Sequence, residues 1–504
     1  MTNLAEDTNI ATCCGTCGCK QAAAVPAKVH PVIQDFLSER QTCLSQSEFA
    51  ESAINFVFPE IALSNWRSFE AVLRKYSLAG RTLFTSKPNK SKSILSALSL
   101  AGAGIDVSSK EALIQALSCG TPGTRIQVSG PKSSDYLLLA IQQRCLISIN
   151  DLGELSQLIE LTNSEAKSPK TRILLRLSGF KSEYAAYTEA DTPFGIRVKR
   201  IDEAFKLLLN SKEQIELVGV HFHLLSGAIG EKLVAFENCI EALQKAQAAG
   251  FNPRVVNIGG GFPIQYAQSK EDWVRFQEYL KASLLGERQT ITWEGAGLGF
   301  RAESGRIAGA AAYLNHVPDY AGASALEEFL NLKCQNFGGI SVATMLRDLM
   351  FELYLEPGRA ILDQAGVTLA KVITVSKSAN GQDIAHLNLN YTNLRSKDQK
   401  LLIQPVFIAQ ALREYTPKNY FLFGNLCTTE DLLMIQKVYP DFELERGDRV
   451  AFVNTAAYHM DFCESQVLHQ SLPKKVAVFK SAAGFQAVPE DVLSLSAIKK
   501  SLEL

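Results

Sequence analysis

The sequence predicts an α/β protein, a (β/α)8 barrel followed by a mainly β C-terminal domain, and three observations carry this. Eight short β-branched runs alternate with stretches of helical length between residues 81 and 358. Polar residues gather at or just beyond the C-terminal ends of those runs, the face where barrels build their sites. After Arg359 the rhythm changes to strands without regular intervening helices.

Residues 1–28 read as a Cys-rich, disordered tail. Cys13, Cys14, Cys17 and Cys19 crowd ATCCGTCGCK, a run whose spacing matches no standard zinc module. Residues 29–61 are expected to form a segment that packs on the β domain, and the barrel is expected over 62–365. Its strand candidates are RTLFTSK (81–87), GIDVSS (104–109), RIQVSG (125–130), LISIN (146–150), RILLRL (172–177), LVGVHFH (217–223), VVNIGGG (255–261) and FELYLEPG (351–358). Between them lie helix candidates; in EKLVAFENCIEALQKAQAAG, Leu233, Phe236, Ile240 and Leu243 recur at helical spacing. Strand–helix alternation implies a parallel sheet, with an open doubly wound sheet as the competitor. The long connection before the eighth strand suggests an insertion at about 295–345 with local helices of its own. KVITVSKS, DIAHLNLNY, KNYFLFG, RVAFVN and KKVAVFK then mark a β domain over 366–504.

The chain has 504 residues, formal net charge -1 and 46% apolar residues, an ordinary globular mixture. No basic stripe points to nucleic acid. No window approaches the roughly 20 apolar residues of a membrane span, and no signal pattern opens the chain. A soluble cytoplasmic protein that takes a small-molecule substrate is the expectation. The seven scattered cysteines show no disulfide-framework spacing.

Several segments carry chemistry. Lys87 ends the first strand in LFTSKPN; a lysine in a barrel mouth is expected to be desolvated, which makes a better amine nucleophile. In GVHFHLLSG, alternation sends His221 and His223 to one side and Phe222 to the other. Gly259, Gly260 and Gly261 end the seventh strand, where backbone N–H groups can approach a phosphate. Glu356 opens EPGR at the end of the eighth strand, followed by Gly358 and Arg359. GNLCTTEDLL and NTAAYHMDF follow in the β domain.

In combination these motifs resemble the pyridoxal-phosphate decarboxylases of ornithine, arginine and diaminopimelate, which share the alanine-racemase barrel. The resemblance covers residues 78–470 and is nearer the diaminopimelate branch. It implies pyridoxal 5'-phosphate as cofactor, with Lys87 as Schiff-base lysine, His223 stacked on the ring and Glu356 holding the pyridine nitrogen protonated. Glu356 favours decarboxylation, since racemases of this fold carry arginine there. Asp106, Arg176, Ser226, the three glycines, Gly358, Arg359 and Tyr458 are the further cofactor-binding positions implied. Pro88 stands where the family has a small residue, and Leu225 where it has glycine. Cys427 matches the cysteine of a loop that reaches the neighbouring subunit's site as a proton donor, so a homodimer with shared sites is implied.

Substrate recognition is where the sequence departs from the family. Thr428 replaces the acidic residue that binds a distal amine. Arg395, in LNLNYTNLR, lies where the diaminopimelate branch grips a distal carboxylate. Arg359, Arg395, Thr428, Glu430 and Asp431 are the substrate-binding candidates. A decarboxylase of an amino acid or conjugate with a remote carboxylate, such as a siderophore precursor, is the expected activity. A racemase or epimerase of the same fold, or a non-catalytic regulatory relative, are the alternatives.

Overall fold

The computed structural model describes residues 23–39, 52–164, 169–182, 192–224, 228–398, 400–411 and 413–503. The four clustered cysteines and Ser226 lie outside these residues. The chain divides into two compact units, one of residues 59–264, 320–363 and 493–504, the other of residues up to 58 together with 265–319 and 364–492.

Strand β1 (Ile54–Val57) belongs to the second unit. The first unit is built on β2 (Gly80–Thr85), β3 (Gly104–Val107), β4 (Ile126–Val128), β5 (Leu146–Ile149), β6 (Thr171–Ser178), β7 (Ile215–His221), β8 (Val255–Asn257) and β9 (Glu352–Leu355). Each pairs in parallel with its neighbours in the order β5-β4-β3-β2-β9-β8-β7-β6. Pairing of Ile147 with Ile173 joins β5 to β6 and closes the circle, which excludes the open sheet. All eight strands fall on the runs read from the sequence. Helices follow where small polar caps announce them: Ser91 Oγ accepts from Ile94 N, and Ser109 Oγ from Ala112 N.

Side chains alternate along each strand, so the barrel interior is layered. Leu83, Leu146, Leu174, Val255 and Tyr354 form one apolar layer. Two residues further along the same strands stand Thr85, Ser148, Arg176, Asn257 and Glu356. The next layer, toward the C-terminal face, is therefore polar.

The second unit is a mainly β sheet. Its further strands are β10 (Gly366–Lys377), β11 (Asp383–Leu387), β12 (Val406–Ile408), β13 (Phe421–Phe423), β14 (Arg449–Val453), β15 (Lys474–Ser481) and β16 (Gly484–Pro489). The order is β12-β14-β10-β1-β15-β16, with β11 between β10 and β13. Leu387, Leu389, Phe407, Tyr420, Leu422 and Phe452 are among the residues of its core.

The chain's division between units differs from the expected one in three places. Residues 23–28 are not a tail: Ala23, Ala24 and Val25 are buried, Gln404 N donates to Val25 O, and Lys28 N donates to Tyr266 O. The inserted segment spans 265–319 rather than 295–345, because the Lys270–Leu284 helix packs with the β unit: Trp273 stacks on His316 at 4.4 Å, and His316 Nε2 accepts from Leu402 N. The C-terminal helix Leu495–Ser501 joins the barrel unit, against the Lys92–Leu100 helix. Among the described residues, Cys119, Cys145, Cys239 and Cys334 are buried, and Cys427 and Cys463 exposed. No described helix is long and apolar enough to cross a membrane, and no described group of His, Cys, Asp or Glu could hold a metal ion.

Candidate active site

The polar layer of the barrel converges on Glu356. This carboxylate is 5% exposed, just past β9. Its Oε1 accepts from Asn257 Nδ2 at 2.7 Å and from Gln127 Nε2, and lies 3.3 Å from His221 Nε2. Asn257 Nδ2 also donates to Gln127 Oε1, and Ser148 Oγ lies 2.7 Å from His221 Nδ1. Burial alone would raise the Glu356 pKa. The charge and hydrogen bond of His221, with the bond from Gln127, outweigh it and hold the carboxyl down to about 2. Asp106, on β3, behaves oppositely: burial and the neighbouring Glu356 charge push its pKa well up, against Ser129, Lys87 and Arg176. Of the two buried carboxyls, Glu356 is thus the anion, and Asp106 is the one that favours its proton.

Lys87 sits in the turn after β2, exposed rather than desolvated as expected. The strand ends at Thr85, so the turn lifts the lysine out of the packed barrel. Its charge acts on both Asp106 and His223. Pro88 packs against Gly358, where a Cβ would come within 2.8 Å of the proline ring. Arg176 is half-buried on β6, 4.8 Å from the Phe194 ring. Burial draws its pKa down, and Glu356 and Asp106 oppose that.

His223 Nδ1 accepts from Gly260 N at 3.2 Å. Burial lowers its pKa to about 3, with Glu356 opposing and Lys87, Lys232 and Arg176 assisting, so the ring is neutral near pH 7. Phe222 turns the other way, into a buried edge contact with Phe180. The glycine run is required by space. At Gly259, with φ +64°, a Cβ would meet Phe222 O at 2.5 Å; at Gly260 it would meet Glu356 O at 2.5 Å.

The remaining candidates lie in the β unit. Cys427 is exposed on the loop after β13. Thr428 Oγ1 accepts from Glu430 N at 3.3 Å. Glu430 is exposed, its carboxylate 3.8 Å from Lys397 Nζ. Asp431 is buried and both its oxygens are taken, Oδ1 by Tyr391 N and Oδ2 by Leu426 N. It shapes the loop rather than facing a substrate. Arg395 pairs with Asp398 through Nε at 3.1 Å and Nη2 at 3.0 Å, over the Phe462 ring. Tyr458, at φ +67°, lies 5.7 Å from the same ring. Gly261 and Arg359 lie at the barrel mouth, Gly261 exposed and Arg359 half-buried.

Sequence reasoning did not single out Gln127, Ser148, Asn257 or the contact of His221 with Glu356. The signal was there for two of them: Ser148 and Asn257 each stand two residues beyond an inward apolar position of their strand, while β4 offers Gln127 no such neighbour.

The mouth therefore offers an exposed amine, a buried anion, a neutral imidazole and a glycine loop too close-packed for side chains. This donor set fits pyridoxal phosphate: aldehyde, pyridine nitrogen, ring face and phosphate each find chemistry that suits them. Residues 64–310 match the model of the pyridoxal-binding domain of pyridoxal-dependent decarboxylases. An uncharacterised protein of Sinorhizobium fredii, y4yA, is 26% identical over 446 residues, covering 86% of this chain and 89% of that protein. The diaminopimelate decarboxylase of Bacillus subtilis is 22% identical, covering 82% and 83%. The crystal structure of the Helicobacter pylori diaminopimelate decarboxylase complexed with L-lysine superimposes with a TM-score of 0.62 at 17% identity, over 90% of this chain and 98% of that one. Residues 64–310 thus form a pyridoxal-binding domain of the pyridoxal-dependent decarboxylase kind, with pyridoxal phosphate as its cofactor.

Proposed function

We propose that this decarboxylase acts on an amino acid, or an amino-acid conjugate, that carries a remote carboxylate rather than a second amine. The observation that carries the reading is the loop after β13. Thr428 is neutral, Asp431 is saturated by backbone N–H groups, and Glu430 is drawn to Lys397. A distal ammonium entering such a site would lose water and gain no dedicated partner, a cost of several kcal/mol for a buried charge. Arg395 supplies the opposite charge; a substrate carboxylate would take over the fork that now holds Asp398.

In this reading Lys87 would hold the cofactor through its amine, and Glu356, kept ionised, would hold a proton at the pyridine nitrogen. His223 would hold the ring, with Asp106 and Arg176 beside it, and Gly259, Gly260, Gly261, Gly358 and Arg359 would hold the phosphate, a set to which Tyr458 belongs by resemblance. Ser226 belongs to the same set by resemblance. Bound there, pyridoxal phosphate supplies an electron sink for the pair left when the α-carboxylate departs as carbon dioxide. Cys427 would supply the proton that replaces the departed carboxylate. Its exposure supports a role in a neighbouring copy's site, hence a two-fold dimer.

The test is carbon dioxide release across two substrate sets, diamino acids and amino acids or conjugates with a remote carboxylate. The second set should be favoured strongly, and Arg395→Ala should lower kcat/KM for it about ten-fold or more, or about 1.4 kcal/mol. Efficient turnover of lysine or ornithine that ignores Arg395→Ala would overturn the specificity and point to Glu430 as the amine's partner.

A further inference from the structure

Lys232 is a lysine in the wrong place for a lysine. It lies in the first turn of the Ile229–Ala248 helix, 3% exposed, with its ammonium inside the barrel unit. No carboxylate among the described residues comes within ion-pair distance of it. Its Nζ donates instead to two carbonyls of the glycine loop, Ile258 O at 3.0 Å and Gly260 O at 2.8 Å. The rings of Phe222 and Phe262 flank it at 5.6 and 5.2 Å. A buried charge without a counter-ion is costly, and burial lowers this amine's pKa to about 8 against the pull of Glu356. A methionine or leucine would fill the same space without that cost.

The two hydrogen bonds show what the charge does. In a trans peptide, C=O and the following N–H point in opposite directions. When Lys232 takes the carbonyl of Gly260, it turns the N–H of Gly261 away from itself. Gly261 is exposed at φ +79°, and its N–H makes no hydrogen bond among the described residues. Lys232 also takes the Ile258 carbonyl, which sends the Gly259 N–H to Asn257 Oδ1. One cation thus sets two peptide planes of the loop, and adds positive charge behind an amide that has no partner among the described residues.

Resting on the cofactor assignment above, we propose that Lys232 is a positioning residue for the cofactor's phosphate. It holds the Gly259–Gly261 loop so that the Gly261 N–H is offered to an anion, and the anion supplies the charge balance that Lys232 otherwise lacks.

The test separates the phosphate from the rest of the cofactor. Cofactor-free wild type and Lys232→Met are titrated with pyridoxal 5'-phosphate and with pyridoxal, which shares the aldehyde and ring but has no phosphate; absorbance reports attachment at Lys87. Lys232→Met should bind pyridoxal phosphate ten-fold or more weakly, while pyridoxal affinity stays within about two-fold. Lys232→Arg, which keeps the charge, should recover part of the difference. If Lys232→Met does not fold, the same ratio is read on Lys232→Gln. Equal losses for both ligands would assign Lys232 a purely structural role and overturn the proposal, as would no loss for either. Wild type that binds neither ligand would overturn the cofactor assignment itself.

Discussion

At Asp106 and Glu356 the barrel interior holds two carboxyls with opposite preferences, and the protein without its cofactor should reveal this as pH-dependent stability. Asp106 has its pKa raised on folding, so between its unfolded value and its folded one the native state binds the extra proton. Stability from this group therefore falls as pH rises through that window. Glu356, depressed to about 2, works in the other direction: its contribution is present above the unfolded carboxyl value and is lost only as pH falls toward 2. Asp106→Asn should accordingly stabilise the cofactor-free protein at neutral pH, because the variant no longer has to take up a proton to fold. It should also flatten the decline above pH 4. Thermal unfolding from pH 4 to pH 8 measures both, and a variant less stable than wild type at pH 7 would contradict this account. At this scale the sequence was partly legible. Lys87 and Glu356 stand in motifs that name them, and His221 and His223 in an alternation that orients them. Gln127 and Asn257 were not legible, because an amide reveals its importance only through the partner folding brings, here the carboxylate of Glu356. Asp431 was misread for the related reason that nothing in TTEDLL tells a saturated carboxylate from an available one.

The strands show which elements a sequence announces. The eight barrel strands are short β-branched runs, and each was found where the pattern placed it. β1, β12 and β16 were not announced; β1 and β12 are short and exist because distant strands pair with them, while β16 closes a hairpin with β15. The inserted segment was misplaced for the same reason: the stacking of Trp273 on His316, and the edge contacts of Trp293 with Phe421 and Phe423, are long-range information. Within the barrel, β7 carries a register shift. Ile173 pairs with Leu217 and Leu174 with Gly219, so Val218 is the extra residue of a bulge. Gly219 beside it has no room for a side chain, since a Cβ would fall 1.9 Å from Val255 O. Gly219→Ala should push β7 from β8 and cost about 1–3 kcal/mol, as overpacked cores do. A lowered Tm with weakened cofactor retention is expected, because β7 leads into the two histidines. An unchanged Tm would show that the strand pair can give way.

For the whole molecule, the proposed dimer makes a quantitative demand. Lys87→Ala and Cys427→Ala subunits should each be inactive alone. After mixing at equal ratio and exchange, half the dimers are mixed and each has one site free of both lesions, so about a quarter of wild-type activity should return. No recovery under conditions that exchange subunits, or an active monomer, would end the shared-site reading. A separate consequence follows from the place of β1 in its sheet. It lies between β10 and β15, antiparallel to Gly366–Leu369 and parallel to Lys474–Ala477. During synthesis, β1 leaves the ribosome some 400 residues before β15, on the order of 20–80 s at ordinary elongation rates of roughly 5–20 residues per second. Until β10 emerges, a strand of Ile, Asn, Phe and Val has both edges bare while the barrel residues emerge behind it, and its second edge stays bare until β15 follows. Such an edge is the kind that recruits other nascent chains. Production of this protein should therefore depend on a holding chaperone early in translation, more than its folded stability would suggest.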